Sequence, residues 1–467
     1  MKNFYITTPI YYINAEPSIG SACTTVAADV VARLHRQLGE EVFYLTGTDE
    51  HGEKVAETAE KAGLSPIDFC NQIVPKFEEA WKLLNISHNF FIRTTDSRHE
   101  KIVSEVMQKI YDGGDVYKGK YEGWYCTGCE AFKTEKELVN LHCPLHPPEK
   151  TVQKSEENWF FKLSKYTPKL IELIENNKTN YIFPESKRTE ILAKLKAGVN
   201  DISISRENVK WGIPVPWDTN HTIYVWVDAL INYYSATQFL KNKTEFWPAN
   251  LHLLGKEILW FHTVIWQAML LSANLPIPIK TYTHDFYTID NQKMSKSLGN
   301  TIPPREIVDL FGTDGARYLI ARSFPNNGDT DVGIARFLEK YNADLANNLG
   351  NLVSRVCKLG DKLKITNYEL QIDEEYTKLV DELKLDEAIS WVFTKFIDES
   401  NNRLNVVSPW KLEADDPDRI TVLTECVNNL RLAAYYLTPV MPETCEKIMK
   451  ALDGEIKPLP TGLFARI

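Results

Sequence analysis

The chain has 467 residues, a formal net charge of −10, 43% hydrophobic and 25% charged residues. That length exceeds one compact core and implies roughly two to four domains. The acidic balance excludes indiscriminate nucleic-acid binding, so any RNA partner must be held by a restricted basic patch.

Residues 3–12 (NFYITTPIYY) are β-branched and aromatic and read as a buried strand. After Gly20 a helical stretch carries Val26, Val30, Val31 and Leu34, and a second strand covers residues 41–45 before the polar run 46–52 (TGTDEHG). Strand, helix and strand in this order form a right-handed βαβ unit, which puts binding groups at the carboxyl ends of its strands, here segments 13–21 and 46–52. Residues 1–12 have no signal-peptide pattern and no apolar run could span a bilayer, so a cytoplasmic protein without membrane contact is expected.

Residues 115–221 change character and read as an inserted domain containing Cys126-x-x-Cys129 and, thirteen residues on, Cys143-x-x-His146. Two such turns each offer two soft ligands to one tetrahedral ion, so a single structural Zn²⁺ is expected, with His142 as a second candidate for the fourth ligand. The other cysteines are scattered singly and read as buried thiols.

A second α/β portion begins near 222–226, passes through His252-Leu253-Leu254-Gly255 and enters a helix from 256 to about 272. On that helix Ile258, His262 and Trp266 would share one face. The loop Lys293-Met294-Ser295-Lys296-Ser297 follows, with two ammonium groups three residues apart among hydroxyls and then Gly299. It suits a bound triphosphate. Beyond the polar break 325–331, apolar periodicity over 336–363, 376–405 and 418–451 predicts a separate α-helical bundle.

The strand 4–12 followed by Pro17-Ser18-Ile19-Gly20-Ser21, the cysteine knuckle, residues 211–216 (WGIPVP), residues 226–229 (WVDA) and the lysine loop together resemble the methionyl-tRNA synthetases, class I aminoacyl-tRNA synthetases, in the bacterial form with one zinc knuckle. The resemblance implies an α/β fold: a split Rossmann catalytic domain (1–114 and 222–276), a connective zinc-knuckle insert (115–221), a stem segment with the lysine loop (277–335) and an all-α anticodon-binding domain (336–467). It implies ATP-dependent activation of L-methionine and transfer to tRNA(Met), initiator and elongator, with ATP, Mg²⁺ and one Zn²⁺, by a monomer.

By the same resemblance Lys293, Lys296, Ser18, Gly20 and Ser21 serve the reaction, and Lys296, Ser295, Ser18, Ser21 and His284 hold the nucleotide. Methionine falls to Pro9, Ile10, Tyr12, Asp49, Trp226, Ala229, Leu230, Tyr233, Ile258, His262 and Trp266, with Asp49 on the α-ammonium and His262 near the sulfur. An aromatic and apolar set of this kind suits a polarizable thioether. Asn351, Arg355 and Trp410 take the anticodon positions.

The chain departs from the family in two places. Its signature is His-x-Gly-His, whereas here it reads Ser18-Ile19-Gly20-Ser21, so both imidazole donors to the phosphates are missing. Where the family usually has His-Gly, this chain has His284-Asp285, which adds negative charge where adenosine would lie. The expectation is a methionine-specific ligase with slowed activation; the alternative is an impaired paralogue or variant that binds methionine, ATP and tRNA.

Overall fold

Two strands show how the core is built. In β1 (Asn3–Tyr12) Phe4 and Ile6 face one hydrophobic cluster while Tyr5 faces another. In β2 (Glu41–Asp49) Val42 and Tyr44 alternate in the same way with Phe43 and Leu45. A strand with period-2 apolar residues on both faces belongs inside a covered parallel sheet. The computed structural model of the chain describes residues 2–13, 16–127, 131–133, 138–144, 147–176, 181–294, 299–366 and 369–467.

The main sheet has six parallel strands. From β1 the chain runs through α1 (Ile19–Gln37) to β2, then α2 (Glu53–Lys61), α3 (Pro66–Leu83), β3 (Phe90–Arg93) and α4 (Ser97–Asp112). Across the sheet the order is β3, β2, β1, Leu251–Gly255, Lys280–His284 and Tyr181–Phe183. Side chains of Ser65 and Asp96 accept backbone N–H groups at the starts of α3 and α4, which fixes where those helices begin. Gly47 lets β3 approach, because a Cβ there would lie 2.0 Å from the Ile92 carbonyl oxygen.

Several elements differ from the sequence reading. β2 does not stop at Leu45 but continues to Asp49, because β1 and β3 pair with its polar end from both sides. Ladder bonds satisfy that backbone, so its polarity does not end the strand. The second α/β portion opens with Asp218–Ile223, which lies in a small antiparallel sheet, and the helix Val225–Phe239. The expected helix 256–272 is present but irregular: it opens with a 3-10 turn (Lys256–Ile258) and passes through a π segment (Phe261–Ile265) before its α-helical end (Trp266–Ser272). Tyr181–Phe183, from within the inserted stretch, becomes an edge strand of the main sheet.

Helices dominate the described residues after 333, with Pro417–Leu437 and Pro442–Leu452 the last two. It docks on α1 through Arg317 of the helix Pro304–Arg322, which is fully buried, lies 2.8 Å from Asp29 and donates to the carbonyls of Leu84, Pro439 and Val440. Removing one member of such a pair leaves a buried charge uncompensated, which makes the joint a firm one.

Candidate active site

The carboxyl ends of β1, β2 and Leu251–Gly255 open onto a cavity of about 640 Å³. Pro9 cannot donate to a ladder, and the register with β2 shifts between Thr7 and Ile10. Pro9, Ile10 and Tyr12 all line the cavity. Opposite them the helix Val225–Phe239 supplies Trp226, Ala229, Leu230 and Tyr233, and the turn after Gly255 supplies Ile258 and His262. Trp226 stacks on Phe261 with ring centroids 4.3 Å apart. The result is an apolar, aromatic-walled recess.

At its polar end lies Asp49, only 7% exposed. The next residue holds it in place: the fully buried Glu50 carboxylate accepts two bonds of 2.8 Å from Arg93 and 2.6 Å bonds from the Thr48 and Thr95 hydroxyls. His262 donates from Nδ1 to the Ile258 carbonyl at 2.9 Å, so its Nε2 accepts the Tyr233 hydroxyl at 2.7 Å. Burial pulls His262 down to about 4, keeping it neutral. Trp266 is the exception among the expected residues. It is fully buried behind Tyr233 and Trp247 and does not line the cavity. The π-turn has more residues per turn than an α-helix, so the expected i, i+4, i+8 face turns away after His262.

Ser18, Gly20, Ser21, His284 and Lys293 line the other half of the same cavity. Ser18 caps α1, and the Ser21 hydroxyl is spent on that helix start. It accepts the Ser18 N–H at 3.1 Å and donates to the Ser18 carbonyl at 2.8 Å. A Cβ at Gly20 would meet Met294 Cε at 3.3 Å, so glycine permits this close approach. His284 donates to the Asp285 carbonyl and accepts from the Thr24 hydroxyl, both at 2.7 Å, and burial lowers it to about 4. The Lys293 ammonium sits 4.6 Å from the Phe286 ring centroid, as does that of Lys256. Ser295 and Lys296 lie outside the described residues.

Asp285 does not present the bare negative charge that its position in the sequence suggested. Its carboxylate is 3.0 Å from Lys256 Nζ and accepts the Gly328 N–H at 2.9 Å. Lys256 also pairs with Asp329. The charge is met by a cation that tertiary packing brings from the end of the neighbouring strand.

The class I tRNA synthetase (M) family model matches residues 4–151 and 147–357. The methionine–tRNA ligase of Nostoc sp. is 42% identical over 97% of this chain and 90% of its own length, and that of Thermotoga maritima 43% identical over 97% and 76%. This chain belongs to the methionyl-tRNA synthetase family. The structure of the Mycobacterium tuberculosis methionyl-tRNA synthetase in complex with methionyl-adenylate is similar to it throughout, with a TM-score of 0.91 and 32% identity over the full length of both chains.

The family's other expected positions lie outside the cavity. Asn351 is exposed at the start of the helix Asn351–Leu359, and the Arg355 guanidinium lies 5.2 Å from the ring centroid of Trp410. Trp410 is 46% exposed, too open for a packing residue. Cys126 and Cys143 are buried and meet beside Thr151: Cys126 pairs with it in a ladder, and the Cys143 N–H donates to its hydroxyl at 3.0 Å. Cys129 and His146 lie outside the described residues, and among the described residues no cluster of three possible metal ligands occurs. No described helix is long and apolar enough to cross a membrane.

Sequence reasoning missed several cavity residues: Cys23, Thr24, Lys54, Glu257, Phe261 and Phe286. Glu257 follows the strand end at Gly255 and could have been found by the strand-end rule. Cys23 and Thr24 lie inside a helix whose apolar pattern carries no sign that this face meets a cavity.

Proposed function

We propose that this protein is a methionine–tRNA ligase. A carboxylate oxygen of L-methionine attacks the α-phosphorus of ATP and pyrophosphate leaves; the terminal ribose hydroxyl of tRNA(Met) then attacks the carbonyl carbon and AMP leaves. The observation that carries this reading is the single cavity in which a nearly buried carboxylate, an apolar aromatic recess and Lys293 face one another. Asp49 would take the α-ammonium, the recess the thioether side chain, and the Lys293 end the phosphates, with Mg²⁺ arriving on ATP as counterion. Neutral His262 and Tyr233 would offer the sulfur a weakly polar contact without a charge to desolvate.

Arg355 and Trp410 are consistent with a platform on which an unpaired anticodon base stacks, with Asn351 one helical turn away to bond a base edge. Methionine-dependent exchange of pyrophosphate into ATP, together with charging of tRNA(Met) that fails when its anticodon is replaced, tests the reading. Exchange driven equally well by norvaline or leucine would sink the methionine assignment, and indifference to the anticodon would sink the role of the helical region.

The convergence of Cys126 and Cys143 on Thr151 supports a zinc knuckle completed by Cys129 and His146. Such an ion would cross-link the tip of the hairpin Val116–Cys126 and Thr151–Phe161. Metal analysis is expected to find about one zinc per chain, in line with one four-ligand site. A chelator should speed amide exchange in this hairpin and leave β1 and β2 protected. Absence of zinc, or its retention by a Cys126→Ser variant, would refute the site.

The departure from the family signature bears on rate. With the Ser21 hydroxyl occupied by α1, charge stabilisation at the phosphates falls on Lys293, Lys296 and backbone donors. This favours slow but real activation and is the observation that keeps the second reading, a binding protein without useful turnover, in play.

A further inference from the structure

Behind the cavity wall lies a buried cluster of an aspartate and two histidines. Asp228, 1% exposed, sits in the first turn of the helix Val225–Phe239. It accepts His51 Nδ1–H at 2.6 Å and His99 Nε2–H at 2.8 Å. His51 belongs to the loop two residues after Asp49, and His99 to α4. The second nitrogen of His99 bonds Ser235 Oγ at 2.7 Å, two turns further along the Asp228 helix. Asp228, His51 and His99 are all absent from the cavity lining.

We infer that Asp228 is a positioning residue for methionine recognition: through His51 and His99 it clamps the Asp49 loop and α4 to the helix that carries Trp226, Ala229, Leu230 and Tyr233. The inference rests on the methionine reading of the cavity. Under that reading the ammonium acceptor comes from one segment and the side-chain wall from another, 177 residues apart at the His51–Asp228 bond. Their separation decides whether both ends of one small amino acid can be met at once, and Asp228 is the group that ties the two together. Trp211 closes the clamp from outside: it packs edge-on to His51, its indole N–H donates to the Glu50 carbonyl at 2.6 Å, and its carbonyl accepts the Gly52 N–H at 3.1 Å.

The electrostatics agree with a tight clamp. Burial alone would push the Asp228 carboxyl up and the His51 imidazole down, yet their pairing holds Asp228 below and His51 above its ordinary value. The charged groups facing His51 are Asp228 from its helix, Glu100 of α4 with an oxygen 3.7 Å from Nε2, and Glu50 in the same loop. A carboxylate can accept from both imidazoles. An amide in its place carries no charge, can accept from only one ring and forces the other ring to change tautomer and accept its N–H, so the charge-assisted character of the clamp is lost.

Methionine binding by the unaltered protein is measured first by calorimetry; its absence would remove the methionine reading itself, independently of the clamp. With binding present, His51→Leu and Asp228→Asn are expected to raise KM for methionine about tenfold, the effect of losing a charge-assisted hydrogen bond, with KM for ATP changed by less than about twofold. His51→Asn, whose amide N–H can take the place of Nδ1–H, should recover most of the loss. Ser235→Ala, a milder change, should raise KM for methionine about threefold, in keeping with a neutral bond. Folding is checked by circular dichroism. Unchanged methionine KM in folded His51→Leu, a parallel rise in both KM values, or His51→Asn no better than His51→Leu would each overturn the clamp.

Discussion

Ser18→His combined with Ser21→His is expected to raise methionine-dependent pyrophosphate exchange by about two to four orders of magnitude, since a single preorganised donor to developing charge is typically worth a hundredfold to a thousandfold. The structure shows why the Ser21 hydroxyl would be a poor stand-in. The Ser21 hydroxyl is turned back onto the Ser18 backbone, where it stabilises the start of α1 rather than reaching a phosphate. An imidazole is longer and can become cationic as charge builds on the leaving group. Gly20 between the two positions keeps the backbone low, so ring donors on either side would meet the nucleotide without obstruction from a Cβ. The measurement is single-turnover adenylate formation on both proteins. Equal rates would mean that other groups, among them the unassigned Lys54 of the cavity, already supply the missing donors.

Asp49→Ala is expected to lower kcat/KM for methionine in the same exchange by roughly a hundredfold to several thousandfold, because it leaves a buried ammonium without its counter-charge, a loss of about 3–5 kcal/mol. Asp49 lies at the end of β2 with its neighbour Glu50 fixed by Arg93, so the loop should keep its shape when the side chain is cut back. KM for ATP and the far-UV circular dichroism should hardly move. A variant that still takes methionine with near-normal KM would remove Asp49 from the site and with it the orientation of the amino acid in the cavity.

Much of the architecture was legible along the chain. β-Branched and aromatic residues announced β1, the apolar spacing of Val26, Val30, Val31 and Leu34 announced the helix after it, and 3.6-residue periodicity announced the helical third of the molecule. These signals are local: they come from backbone geometry and from which face each side chain must bury. Where local pattern and pairing disagreed, pairing prevailed. The polar end of β2 is a strand because neighbours on both sides satisfy its backbone, while the helix 256–272 forms as its spacing predicts but carries a π segment that the spacing does not announce.

The residue types of the candidate site were legible too, since a lysine loop, a strand-end aspartate and an aromatic set each carry their chemistry in the sequence. What those residues do to one another was not. Whether Trp266 lines the cavity, where the Ser21 hydroxyl points, whether Asp285 is neutralised and how Asp228 ties His51 to His99 depend on contacts between segments far apart in the chain. Such contacts follow from packing of the whole sheet and its helices, and hydrophobic burial is non-directional, so no local pattern encodes them. Composition and motif determined the chemistry available; only the folded arrangement decided which groups are free to use it.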